Sequence, residues 1–237
     1  MSASPGAAPR LDPFGPDLWL ADGPIVRFGG AFLYPTRMAV VRLNDGTLWI
    51  WSPIALDDDL ARAVEALGAV GHLVAPNKLH HLFLPDWRER FPGARLYAPP
   101  GLAKKRPDLS FDATLGDVPD ASYAEDVDQV VFRGSFFLEE VVFFHRASRT
   151  AIVGDLVQRF APDQVRGPAG FVMRLWGLVG ERGSTPREWR ASFLRRAPAR
   201  AARARLLGWQ PERLLIAHGA CAQRDATRIL ERALAWI

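Results

Sequence analysis

The chain has 237 residues, of which 49% are hydrophobic and 24% charged, so it can bury a large core and is too apolar to be intrinsically disordered. A formal net charge of +4 is small for this length, and so weak a field is not typical of nucleic-acid-binding proteins. The single cysteine, Cys221, excludes an internal disulfide framework and a zinc site built from cysteines.

Signals for export or membrane insertion are missing from the sequence. Residues 1–10 lack the apolar segment of a secretory signal, and no stretch reaches the roughly 20 apolar residues of a spanning helix. The longest candidate, residues 167–180, is interrupted by Arg174 and would serve as a lid over a site or as a dimer contact. We therefore expect a cytoplasmic protein with no membrane partner, and the oligomeric state is left open.

The first half of the chain alternates strands with helices. Residues 1–17, rich in proline, glycine and alanine, predict a flexible lead-in, and residues 18–237 predict a single domain. The turn at Asn44-Asp45-Gly46 between two β-rich runs predicts a hairpin. Other expected elements in this half are short strands on either side of Gly23-Pro24, a helix starting at Asp57–Asp59, a strand over 72–75, a helix over 79–91 and a strand over 95–98.

The second half has the same mixed character. Two apolar runs, 140–145 and 150–155, predict a second hairpin. Thr185, followed by a proline and by Glu188, predicts a capped helix running toward Leu207. A strand over 214–217 and an amphipathic helix over 225–237 close the chain. The alternation is typical of a domain in which helices and sheets form layers.

Candidate metal ligands follow the ends of three predicted strands. His80 and His81 come after the strand ending at Ala75, Asp155 ends another strand, and His218 follows the last one. Loops at the ends of buried strands often carry functional side chains, and imidazole with carboxylate suits zinc, manganese or iron. Neighbours on a helix point about 100° apart, so only one of the two adjacent histidines would face such an ion. The alternative is a hydrogen-bonded polar cluster without a metal.

Several segments together resemble the DUF4336 family, and the resemblance spans residues 18–237. That family looks like a divergent branch of the metallo-β-lactamase superfamily. The implied fold is α+β, a four-layer αββα sandwich built from two similar halves. The segments that carry the resemblance are Arg37-Met38, Asp45-Gly46, Ser52-Pro53, Asn77-Lys78-Leu79-His80-His81, Ala98-Pro99-Pro100-Gly101, Glu140 to His145 with Ser148-Arg149-Thr150 behind it, and Asp155 at the end of a strand.

The resemblance also implies that the metal site is reduced. The superfamily loop reads His-x-His-x-Asp-His, whereas this chain has Asn77 to His81 there, so the first His-x-His pair is absent. Counting back from Asp155 to the expected third histidine reaches Phe136. What would remain is a site for one divalent ion (Zn, Mn or Fe), or for none, made of His80 or His81, Asp155 and His218.

The roles of the other polar residues near these motifs stay open. Glu140 and His145 are candidates for an extra ligand, for a partner of a ligand or for a proton shuttle, so the catalytic candidates are Asp155, Glu140 and His145. Asn77 and Lys78 are further pocket candidates.

Two functions compete. The first is a metal-dependent hydrolase of a small-molecule ester, thioester, lactone or phosphodiester. The second is a non-catalytic binding protein that has lost its metal site, so whether the chain is an enzyme stays open. The arginine-rich stretch 195–205 predicts a solvated helix face rather than a nucleic-acid surface. Lys104-Lys105-Arg106 is ambiguous and would suit an anionic substrate at the rim of a pocket.

Overall fold

A computed structural model describes residues 11–28, 32–165 and 167–237. Seven strands form the first sheet, and their order in the sheet is their order in the chain. Strands β1 to β4 are antiparallel to one another in sequence and form a meander. From β4 onward the strands run parallel, with helices as crossovers. The strands are β1 (Asp12–Gly15), β2 (Leu18–Phe28), β3 (Phe32–Arg42), β4 (Leu48–Trp51), β5 (Val70–Val74), β6 (Arg95–Ala98) and β7 (Ala113–Thr114).

The second sheet has four strands in the order β11–β10–β9–β8. The β9–β10 pair is the antiparallel hairpin that the sequence predicts, whereas β10 and β11 run parallel. Its strands are β8 (Val127–Phe132), β9 (Glu140–His145), β10 (Thr150–Val153) and β11 (Arg213–Ile216).

Seven helices occur in the described ranges. Asp57 caps α1 by accepting a hydrogen bond from the Leu60 backbone N–H at 2.8 Å, as expected of an N-terminal aspartate. Within the described ranges, every helix is too short or too polar to span a lipid bilayer. The helices are α1 (Asp58–Glu65), α2 (Leu84–Arg90), α3 (Leu102–Lys105), α4 (Gly167–Leu175), α5 (Arg187–Ala191), α6 (Arg196–Gly208) and α7 (Ala226–Ala233).

The helices cover the outer faces of both sheets, which gives the four-layer αββα sandwich that the family resemblance implies. Strand β4 illustrates the reason: Leu48 and Ile50 pack under α1 and α2, while Trp49 and Trp51 pack between the sheets. Because side chains alternate along a strand, a strand buried on both faces is apolar throughout. Residue Ile152 of β10 likewise faces the first sheet, and its neighbours face α5–α7.

Two predictions about the first half of the chain are corrected. Within the predicted lead-in, residues 12–15 form β1 and pair with β2; residues 1–10 lie outside the described residues. The sequence Gly23-Pro24 does not separate two strands, because β2 continues through it with a shift in register between Asp22 and Ile25. A bulge of this kind accommodates a proline within one strand.

Two predicted helices are also corrected. The helix expected over 79–91 begins only at Leu84, because Asn77 organises residues 77–83 as turns and its Oδ1 accepts the Leu79 N–H at 2.8 Å. The capping box at Thr185 does not form. Its hydroxyl is buried and donates to the Leu156 carbonyl at 2.7 Å, and the predicted single helix is divided into α5 and α6.

Candidate metal centre

The candidate site lies where the carboxyl ends of strands from both sheets meet. His80 belongs to the turns that follow β5 of the first sheet, while Asp155 and His218 follow β10 and β11 of the second. An isolated antiparallel bridge between Asn77 and Glu140 joins the two sheets at this edge. The sandwich therefore brings together side chains that are up to 138 residues apart in the chain.

Three side chains converge on one point. The Nε2 atom of His80 lies 3.1 Å from Oδ2 of Asp155, and Nε2 of His218 lies 3.1 Å from Oδ1 of the same carboxylate. All three ligand atoms lie within 4.8 Å of one another. Asp155 and His218 are buried and His80 nearly so. Of the two adjacent histidines, His80 is the one that faces the site.

Each imidazole is held through its other nitrogen. Nδ1 of His218 donates to the Pro35 carbonyl at 2.8 Å, and Nδ1 of His80 shares a 2.7 Å hydrogen bond with the Ser52 hydroxyl. Ser52 has a positive φ of 51°, a conformation that costs energy for a residue with a side chain and that often marks functional sites. Anchoring Nδ1 in this way directs Nε2 toward a ligand.

The arrangement fits a divalent cation. A carbonyl only accepts hydrogen bonds, so Nδ1 of His218 carries the proton, and a neutral ring then presents a lone pair at Nε2. That lone pair faces a carboxylate oxygen, and two acceptors 3.1 Å apart need a proton or a metal ion between them. Ligand atoms bound to one ion at about 2.1 Å lie about 3 to 3.5 Å apart, which matches both measured distances.

Electrostatics favour the ionised form of Asp155. Burial acts to raise its pKa, but the imidazoles of His80 and His218 outweigh burial and hold the pKa well below its usual range. Asp155 Oδ2 also accepts a hydrogen bond from Asn77 Nδ2 at 2.9 Å. The carboxylate is thus fixed and charged, as a metal ligand must be.

Glu140 orients the Asp155 loop and is not one of the three converging groups. Its carboxylate accepts hydrogen bonds from the backbone N–H groups of Gly154, Asp155 and Leu156, at 3.0, 2.7 and 3.2 Å. It also accepts one from Asn77 Nδ2 at 2.8 Å. A Cβ atom at residue 154 would lie 2.8 Å from Glu140 Oε2, so only glycine fits there.

Two opposing effects act on the Glu140 carboxylate. Complete burial and the negative charge of Asp155 raise the pKa of Glu140 to about 8, although the hydrogen bonds from Asn77 and the backbone act to lower it. Every one of its hydrogen-bond partners is a donor, so the surroundings are arranged for the ionised carboxylate. A cation bound at Asp155 would offset the negative charge of Asp155 and so favour the ionised form of Glu140.

Arg37 fixes the loop that carries His218. Its Nη1 donates to the carbonyls of Ile216 and Gly219, at 2.8 and 2.7 Å, and Asp22 pairs with the same guanidinium at 2.7 Å. Gly219 has a φ of 110°, and a Cβ atom there would lie 2.2 Å from the Arg159 carbonyl oxygen. An arginine from the first sheet thereby positions a candidate ligand of the second.

The three converging side chains line a cavity of about 260 Å³. Tyr34 stands at its wall with its ring 4.9 Å from that of His218, and burial, followed by the charge of Asp155, raises the pKa of Tyr34 to about 12. Helix α4, within the 167–180 stretch, contributes to an apolar cluster that Tyr34 joins. Most other lining residues are apolar, among them Val26, Pro53, Leu82, Phe83, Phe137 and Trp189.

His81 lines the cavity and Lys78 does not, and neither is one of the converging groups. Nδ1 of His81 accepts a 2.9 Å hydrogen bond from Arg106, and burial, with the charges of Lys105 and Arg106, lowers the pKa of His81 to about 4. The Lys78 ammonium lies 5.9 Å from the centre of the Phe137 ring. Of the pocket candidates, Asn77 therefore contacts the site directly and Lys78 does not.

His145 lies elsewhere in the molecule, which corrects its interpretation as a catalytic candidate. It is at the opposite end of β9 from Glu140, and the ends of this six-residue strand are about 16 Å apart. Its ring is buried and shares a 2.7 Å hydrogen bond with the Ser148 hydroxyl. Phe136, reached by counting back from Asp155, is 74% exposed. It does not line the cavity.

Sequence reasoning did not assign several residues that the structure places at the site. Ser52 and Pro35 anchor the two imidazoles, and Tyr34, Gln158 and Glu188 line the cavity. Ser52 carried a signal, because it directly follows a strand that is parallel to β5 and therefore ends at the same edge. A backbone carbonyl such as that of Pro35 leaves no signature in residue types.

Known structures share this architecture. DIM-1 metallo-β-lactamase is 15% identical, with a TM-score of 0.63 and 96% of each chain covered. FIM-1 from Pseudomonas aeruginosa, in a mono-zinc form, is 11% identical, with a TM-score of 0.62, and the match covers 98% of this chain and 97% of that one. Rubredoxin oxygen:oxidoreductase from Desulfovibrio gigas is 14% identical, with a TM-score of 0.64, over 95% of this chain and 61% of that one.

At these identities the likeness establishes the fold, which is metallo-β-lactamase-like. Among curated protein sequences, none matches this chain. A family model described as a domain of unknown function, DUF4336, matches residues 30–167, more than half of the 237 residues. The match includes Arg37, Ser52, Asn77 to His81, Glu140 and Asp155, so most of the groups that build the site lie within it. The chain therefore belongs to the DUF4336 family.

Proposed function

We propose that this protein is a metal-dependent hydrolase whose single-ion site is formed by His80, Asp155 and His218. The observation that carries the proposal is the pair of imidazoles whose Nδ1 atoms are anchored and whose Nε2 atoms lie 3.1 Å from one carboxylate. The same fold in a protein crystallised in a mono-zinc form gives support. Zinc, manganese and iron all accept this combination of ligands.

Three protein ligands leave coordination positions open to water and substrate, as a catalytic site requires. A divalent ion held there would polarise a carbonyl or phosphoryl oxygen of the substrate and lower the pKa of a water molecule toward neutrality. Asp155 supplies the negative charge that holds the ion, and Glu140 keeps its loop in place. Tyr34, whose raised pKa of about 12 keeps it protonated, lies beside His218 and donates a 3.5 Å hydrogen bond to Gln158 Oε1.

The substrate is a small molecule with a hydrolysable ester, thioester, lactone or phosphodiester bond. A volume of about 260 Å³ is slightly below the roughly 300–1,000 Å³ typical of ligand pockets, so a compact substrate fits. The apolar lining lowers the local dielectric around the reacting group, which strengthens each charge in the site.

Metal content gives the first test. Protein purified without a histidine tag and reloaded with zinc, manganese or iron should carry about one equivalent by plasma mass spectrometry. Asp155→Asn and His218→Ala should lose the ion, whereas His145→Asn, a buried histidine outside the cavity, should retain it. Less than about 0.2 equivalents of every metal in the wild-type protein after reloading would refute the metal site.

Turnover gives the second test. Aryl esters, thioesters, lactones and bis-aryl phosphodiesters should be screened with the loaded protein. At least one class should react, a chelator should abolish the reaction, and Asp155→Asn should remove it. A protein that binds one ion tightly but hydrolyses none of these classes would instead be the non-catalytic binding protein that the reduced ligand set also permits.

A further inference from the structure

One side of the cavity carries positive charge that the protein does not neutralise. Lys105, at the end of α3, lines the cavity, and its ammonium donates to the Lys78 carbonyl at 2.9 Å. In the part of the chain that the structure describes, neither Lys105 nor Lys78 has a carboxylate at ion-pair distance. Arg106, by contrast, pairs with Asp108 at 2.6 Å. Burial and the charges of Lys78 and Arg106 lower the pKa of Lys105, so an anion there would relieve the repulsion.

His81 adds a hydrogen-bond donor on the same side. Arg106 has only donors, so the 2.9 Å contact makes Nδ1 of His81 the acceptor and leaves the ring proton on Nε2. Among the described residues, that Nε2 has no hydrogen-bond partner. His81 lines the same cavity as Lys105, so it offers an N–H group on the side of the cavity that carries the ammonium.

The other charged groups of the lining leave Lys105 unbalanced. Asp155 is engaged by the imidazoles of His80 and His218 and does not pair with Lys105. Arg27 and Glu188 also line the cavity and are opposite in sign, so they contribute no net charge. Lys105 is therefore a positive charge without a carboxylate partner among the described residues, on the side where His81 supplies its donor.

We propose that the substrate carries, besides the bond that is hydrolysed, a carboxylate that binds Lys105 and His81. The apolar lining formed by residues such as Leu82, Phe83 and Phe137 would hold a short aryl or alkyl body between the carboxylate and the reacting bond. The inference rests on the proposed function in that it places the reacting bond at His80, Asp155 and His218. Lys105 and His81 are positioning residues in this assignment.

The test measures binding and does not need turnover. The probes are 4-phenylbutyrate and 4-phenylbutyramide, which have nearly the same size but differ in charge, titrated calorimetrically into the metal-loaded full-length protein. The carboxylate should bind about tenfold more tightly, as expected of a charge-assisted contact. Lys105→Met should reduce the preference to about twofold or less. Lys104→Met, a neighbouring lysine that is exposed as Lys105 is but does not line the cavity, should leave it unchanged.

Parallel titrations of metal-stripped protein separate the lysine from the ion, because a carboxylate also binds metals directly. A preference that survives stripping and is lost in Lys105→Met supports the carboxylate subsite even if no hydrolysis is ever found. Equal binding of the two probes by the wild-type protein would overturn it. A preference that disappears on stripping and is unchanged in Lys105→Met would overturn it too, and would leave the metal site and the proposed hydrolase standing.

Discussion

Replacing Glu140 by glutamine tests whether this residue holds the loop of Asp155. The carboxylate accepts hydrogen bonds from three consecutive backbone N–H groups, of Gly154, Asp155 and Leu156, and from the Asn77 amide. Glutamine has the same shape but offers one acceptor and one NH₂ donor. In its better orientation at least one buried N–H loses its partner, at about 1–3 kcal/mol, and the remaining bonds lose the strength that the charge gives them. The free energy of unfolding should fall by about 2–4 kcal/mol.

Metal affinity should fall as well, by about 10- to 100-fold, as is typical when a group that orients a ligand is changed. Urea unfolding of the metal-free protein measures the first effect, at a pH above the Glu140 pKa of about 8 so that this carboxyl is ionised. Metal titration under native conditions measures the second. Glu139→Gln is the matched control, because Glu139 is the adjacent glutamate and does not contact the Asp155 loop. An E140Q protein within about 0.5 kcal/mol of the wild type, with unchanged metal affinity, would refute the role assigned to Glu140.

Two further predictions concern histidines. Burial lowers the pKa of His145 from 6.5 to about 4. Between these pH values the unfolded chain therefore binds more protons than the folded protein. The stability present above pH 6.5 should be lost as the pH falls toward 4, by up to about 3 kcal/mol. His145→Asn should flatten this part of a urea-unfolding series taken from pH 4 to 8, and an unchanged slope would contradict the argument. Ser52→Gly removes the hydroxyl bonded to His80 at 2.7 Å but tolerates the positive φ, so metal affinity should fall about tenfold with little loss of stability. An exposed control, Ser110→Gly, should not change metal affinity, and an S52G protein with wild-type affinity would show that the hydroxyl does not orient His80.

Features of the fold that depend on short sequence patterns were predictable. The Asn44-Asp45-Gly46 turn and the Asp57 cap act within a few residues, so their signals are complete in the sequence. The capping box at Thr185 failed for the opposite reason. Its hydroxyl is engaged by the Leu156 carbonyl, 29 residues away, and a contact at that separation outweighs a local preference.

The candidate site, like the fold, was predictable from the sequence only in part. His80, Asp155 and His218 were predictable as a group because each follows a strand, and strand ends gather at one edge of a layered fold. The choice of His80 over His81 was not predictable, because it depends on the turns after Asn77 and on Ser52. His145 also ends a strand, but β9 runs antiparallel to β10, so its end lies at the far edge of the sheet. Strand direction, which the sequence does not state, therefore decides which of these residues share a site.

The origin of the three converging side chains has a consequence for the cohesion of the molecule. His80 is carried by the first sheet, Asp155 and His218 by the second, so an ion bound to all three would act as a cross-link between the two halves of the sandwich. Its binding free energy would then oppose any opening that separates the halves. Amide hydrogens in the apolar layer between the sheets should exchange more slowly in the loaded protein, while those under α1 and α2 report on the first half alone. The same ion that activates a substrate would thus also fasten the two halves of the fold together.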